Sequence, residues 1–72
     1  MKKSDLIRKI RRAAKKAGNS WGEQLPAGTK HEAWTCGETT VTIPRHREVN
    51  EYTAEGIMKD LESELGEEWW RQ

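Results

Sequence analysis

The sequence predicts an α+β domain of order α-β-β-β-α, a three-stranded antiparallel sheet with two helices on one face. Three observations carry this. Apolar residues recur at helical spacing near both ends of the chain, and the period drops to two in the middle. The 72 residues, 33% hydrophobic and 35% charged, leave room for one thin core and one domain over residues 1–72. A core of that size excludes large cofactor pockets and active sites in a cleft between domains.

The first helix follows Ser4, a candidate cap, with Leu6, Ile7, Ile10, Ala13, Ala14 and Ala17 on one stripe and Gly18 as its stop. Residues 20–25 suit a short strand, which Leu25-Pro26-Ala27-Gly28 breaks. His31 to Cys36 and Thr39 to Ile43 read as two strands joined by Gly37-Glu38, a fit to a two-residue type II′ turn. That turn pairs Cys36 with Thr39 and Trp34 with Val41. Alternation then places Trp34, Val41 and Ile43 under the helices, and His31, Ala33, Thr35, Thr40 and Thr42 on an open face. Pro44 ends the third strand. A second helix is expected to start near Thr53, with Glu55 in its first turn, and to run through Ala54, Ile57, Met58, Leu61 and Leu65 to Gly66. Trp21 and Trp34 are expected in the core, with Cys36 as a small filler. Trp69 and Trp70 are expected to dock on this domain or on a partner, with base stacking as the alternative.

Charge is segregated. Residues 1–16 carry eight Lys/Arg against Asp5 alone, and residues 48–72 carry eight Asp/Glu against Lys59 and Arg71. A basic first helix can hold a polyanion, with Arg8, Arg12 and Lys15 as candidate contacts; the plainer alternative is two solvated helix faces that attract each other. One cysteine excludes an intrachain disulfide and suits a reducing cytoplasm. No apolar run approaches the roughly 18 residues of a membrane span, so no membrane partner is expected.

Most catalytic signatures are missing. There is no glycine-rich phosphate loop, and one Cys with two His lacks zinc-ligand spacing, so neither metal nor small-molecule cofactor is expected. What remains is Lys30-His31 and Arg45-His46-Arg47. Histidine can take and give a proton near neutrality, and flanking cations can stabilise a crowded phosphate, which together make the inventory for cutting RNA. The alternative for His31 is an ordinary surface histidine. For His46 the choice lies between a second acid/base and a turn residue that bonds backbone. Arg45 and Arg47 suit phosphate, because guanidinium binds it as a planar fork.

Gly28-Thr29-Lys30-His31 resembles the G-[S/T]-x-H motif of HicA-type toxins, the mRNA interferases of HicA–HicB toxin–antitoxin pairs. Val41-Thr42-Ile43-Pro44-Arg45-His46 resembles that family's strand ending in V-P-R-H. Thr53-Ala54-Glu55-Gly56-Ile57-Met58-Lys59-Asp60-Leu61 is similar to its T-L-R-x-I-L-K-Q-L helix, and Ser4-Asp5-Leu6-Ile7 to its opening S-E-L-I. The matches span residues 4–66 in the family's order, and residues 67–72 extend beyond its usual end. The resemblance implies a fold like a double-stranded-RNA-binding domain and metal-independent cleavage of mRNA by His31. It also implies inhibition by a HicB-type antitoxin that covers this site. Lys30 and Arg45 would hold phosphate. The alternative function is a non-catalytic module on the same fold, binding double-stranded RNA or another protein.

Overall fold

The computed structural model describes residues 1–24 and 31–71. Its elements run α1 (Lys3–Ala17), β1 (Trp21–Glu23), β2 (His31–Cys36), β3 (Thr39–Pro44), α2 (Glu51–Asp60), α3 (Glu62–Leu65) and a 3-10 turn at Trp69–Arg71. The layout is the expected α+β arrangement, with strand order β1-β2-β3 and antiparallel pairing throughout. The expected break at Leu25-Pro26-Ala27-Gly28 and the Gly28-Thr29-Lys30 loop lie outside the described residues.

The hairpin register follows from its turn. Cys36 pairs with Thr39, Trp34 with Val41, Glu32 with Ile43 and His31 with Pro44. Gly37 takes φ +59° while Glu38 stays at negative φ, as a type II′ turn requires. A Cβ at Gly37 would also meet the Glu64 carboxylate, which would have to shift from its bonds to the hairpin. Leu6, Ile10 and Ala14 of α1 and Ala54, Ile57 and Met58 of α2 pack with Cys36, Val41 and Ile43 in one core. Trp34 lies on the same sheet face, half-buried and stacked on Trp21 with ring centroids 4.8 Å apart. His31, Thr40 and Thr42 are exposed on the opposite face, and Ala33 and Thr35 are half-buried.

Both helix starts differ from expectation. α1 begins at Lys3 with Lys2 at the cap position and no side-chain cap, leaving Ser4 inside the first turn. The first N–H finds its partner elsewhere: Lys3 donates to the Arg47 carbonyl at 2.9 Å, beside an antiparallel bridge between Lys2 and Glu48. Gly18 closes α1 in the left-handed region, as expected. The next helix starts two residues before Thr53, because Asn50 caps it by accepting the Tyr52 N–H at 2.7 Å, and Glu51 rather than Glu55 occupies its first turn.

The single closing helix expected up to Gly66 is two segments. At Leu61 the backbone turns to φ −92°, ψ 3°, and its N–H bonds the Met58 carbonyl at 3.2 Å. Leu61 is fully buried, and α3 beyond it packs against α1. The break aims Glu64 at the hairpin, where its Oε2 accepts from Thr39 Oγ1 at 2.8 Å and from the Glu38 N–H at 3.3 Å. Asn19 Nδ2 donates to the Glu64 carbonyl at 2.8 Å, tying the end of α1 to the same point. The tail folds onto its own domain: Trp70 is buried, and Trp69 Nε1 donates to the Met58 carbonyl at 2.9 Å.

Candidate catalytic face

His31 opens the central strand and points to the solvent side of the sheet. Its register partner is Pro44, so the two Cα atoms lie about 4.5–5.5 Å apart, as across any antiparallel pair. The chain continues from Pro44 directly into Arg45, His46 and Arg47, all exposed. Strand pairing therefore brings His31 and the Arg45-His46-Arg47 bend to one end of the sheet. Neither imidazole makes a hydrogen bond or ion pair with a described residue, so both are open to solvent and ligand. The backbone bond weighed for the His46 side chain is not made with any described residue. Lys30 lies outside the described residues.

One residue beyond His31, alternation turns Glu32 to the helix side. It is the one buried charged side chain among the described residues, at 8% exposure. Lys3 Nζ donates to its Oε2 at 2.5 Å and Trp34 Nε1 to its Oε1 at 2.9 Å, while Arg45 Nη1 stands 3.9 Å from Oε2. Burial disfavours the carboxylate, but the hydrogen bonds from Lys3 and Trp34 and the charges of Lys3 and Arg45 outweigh it. The carboxyl is held below its ordinary value. The network ties α1, the central strand and the bend after Pro44 together directly behind His31. It also draws Arg45 toward the helix side. Sequence reasoning passed over Glu32, although the register that paired it with Ile43 carried the signal. An acid at an inward strand position needs a cation beside it.

No family model matches the chain, and no curated protein or solved structure does either.

The basic helix is not part of the His31 cluster. α1 covers the helix side of the sheet, so Arg8, Arg12 and Lys15 are exposed on the layer opposite His31. Arg8 pairs with Asp5 at 3.6 Å, one turn back. No group of three or more His, Cys, Asp or Glu able to hold a metal ion occurs among the described residues. No helix of the structure is long and apolar enough to cross a membrane.

Proposed function

We propose that this domain is a cytoplasmic endoribonuclease toxin of the HicA type, on a fold like a double-stranded-RNA-binding domain. It cuts mRNA without a metal ion and is held in check by a HicB-type antitoxin. The observation that carries the reading is the solvent-open His31 in strand register with the bend bearing Arg45, His46 and Arg47.

In the proposed reaction His31 takes the proton of an RNA 2′-hydroxyl, and the 2′-oxygen attacks the adjacent phosphorus. The P–O5′ bond breaks, and the leaving 5′-oxygen receives a proton. The products are a 2′,3′-cyclic phosphate and a 5′-hydroxyl. An imidazole titrating near neutrality can serve either proton transfer. His46, at the same end of the sheet, is the candidate for the other. Arg47 supplies positive charge for the phosphate, and Lys30 precedes His31 in the chain.

Two features favour the second reading, a non-catalytic binding module. Arg45 is engaged by Glu32, and the remaining cations of α1 lie on the other layer. Expression of wild type and His31→Ala in cells, read by growth and mRNA integrity, separates the readings. Growth arrest with cut mRNA in wild type only is the expected result, and equal toxicity of a folded His31→Ala protein rejects the role of His31.

A further inference from the structure

A groove runs between α1 and the C-terminal turn, on the helix side of the molecule and away from His31. Its volume is about 700 Å³. It is lined by Lys9, Arg12 and Lys16 together with Ala13, Ala17, Leu65 and Trp69. The charged residues of the lining are all cationic. The three cations stand at i, i+3 and i+7, spanning about 10 Å of helix at the usual rise. None of them is ion-paired with a described residue.

Trp69 is held by its edge. Its Nε1 is taken by the Met58 carbonyl at 2.9 Å, and Trp70 packs edge-on with centroids 6.1 Å apart and planes at 80°. The indole is thus preorganised, and it contributes to the groove wall with its polar atom already satisfied. Ala13 and Ala17, one helical turn apart, add only methyl groups to the same lining.

We propose that this groove is a subsite for a nucleotide of single-stranded RNA, with one base stacked on Trp69 and the flanking phosphates held by Lys9, Arg12 and Lys16. An unpaired base has the exposed ring face that stacking needs, and guanidinium and ammonium groups match its phosphates. The volume lies within the range of about 300–1,000 Å³ usual for small-ligand sites. A stable protein interface needs roughly 800 Å² from each partner, far more than two alanines, a leucine and one indole supply. The inference rests on the proposal that the domain handles RNA, and not on its cutting it. The groove anchors nucleotides away from the scissile bond.

A fluorescently labelled 2′-O-methyl oligouridine tests this, since it presents bases and phosphates but no 2′-hydroxyl nucleophile. Anisotropy should show Trp69→Leu weakening binding by about 5- to 150-fold, the range of one lost base–aromatic stack. Ala17→Glu, an exposed position, should also weaken binding by setting a carboxylate in the groove. Arg12→Ala and Lys16→Ala should each lower the slope of log affinity against log salt by about 0.7. Polyphosphate, which carries charge without bases, should respond to the cation changes and ignore Trp69→Leu. Circular dichroism melts check folding, and if Trp69→Leu does not fold, Ala17→Glu decides.

Equal oligonucleotide binding by wild type and the folded variants overturns the subsite and leaves the groove to a protein segment. An oligonucleotide that fails to bind wild type overturns both the subsite and the RNA reading. Failure of the nuclease reading alone looks different: unmodified RNA stays intact while oligonucleotide binding still depends on Trp69.

Discussion

Replacing Glu32 by Gln removes one charge from the only buried charged position among the described residues and changes almost nothing in volume. The carboxylate accepts from Lys3 Nζ at 2.5 Å and from Trp34 Nε1 at 2.9 Å. Hydrogen bonds to charged groups contribute about 1.5–3 kcal/mol each, and truncating a fully buried pair costs about 3–5 kcal/mol. Here the side chain of Lys3 is 22% exposed and that of Arg45 is 38% exposed, so both cations can recover part of their hydration. The amide oxygen of Gln also keeps one acceptor. The net cost should therefore be about 1.5–3 kcal/mol, or a fall in Tm of roughly 6–24 °C at about 4–8 °C per kcal/mol for a domain this small.

The pH dependence follows from the same network. The folded carboxyl lies below its ordinary value of 4.5, so the folded state binds fewer protons than the unfolded chain in that region. The stabilisation is complete above the ordinary value and is lost as pH falls through the lower folded one. Urea melts of both proteins from neutral to acid pH should show the gap at neutrality shrinking on the acid side, because the amide does not titrate. An unchanged midpoint at neutrality together with an unchanged acid limb would refute the proposed role of Glu32. Arg45→Ala is the contrasting control. At 3.9 Å and partly exposed, its pair with Glu32 should be worth under about 1 kcal/mol, read as the Arg45–Glu32 coupling in a double-mutant cycle.

His31→Ala should lower the rate of RNA cleavage by about 10²- to 10⁴-fold, measured on purified protein, while shifting stability by less than about 0.5 kcal/mol. His46→Ala should cost less unless His46 supplies the second proton transfer, when the two losses will be similar and not additive; end-group mapping should find 2′,3′-cyclic phosphates. Gly37→Ala should destabilise by about 1–2 kcal/mol from its positive φ alone. More should be lost where the new Cβ displaces Glu64, so thermal melts should show a smaller cost of Gly37→Ala in a Glu64→Ala background than in wild type. Asn50→Ala should cost about 0.5–2 kcal/mol through loss of the α2 cap, and Asn50→Asp should retain most of the stability.

His31's place on the open face was legible in the sequence because it depends on short-range rules. A glycine at the first turn position sets the hairpin register, and alternation then assigns every side chain of β2 and β3 to a face. The stripe from Leu6 to Ala14 and the αL stop at Gly18 are likewise written within a few neighbouring residues. Strand pairing alone also joins His31 to Pro44, and so to the Arg45-His46-Arg47 bend.

What the sequence left open depends on residues far apart in the chain. Lys3 meets Glu32 across 29 positions, Glu64 meets Thr39 across 25, and Asn19 meets the Glu64 carbonyl across 45. Local spacing makes Arg45 look free for phosphate, but the buried carboxylate of Glu32 needs a counter-charge and engages it. Local spacing continues the closing helix to Gly66, whereas burial of Leu61 and the docking of α3 on α1 break it there. Near-neighbour sterics and hydrogen bonds determine secondary structure and face. Desolvated charge and close packing are resolved only when the layers meet, so the Glu32 network, the Glu64 clamp and the folded-back Trp69-Trp70 tail belong to the tertiary structure.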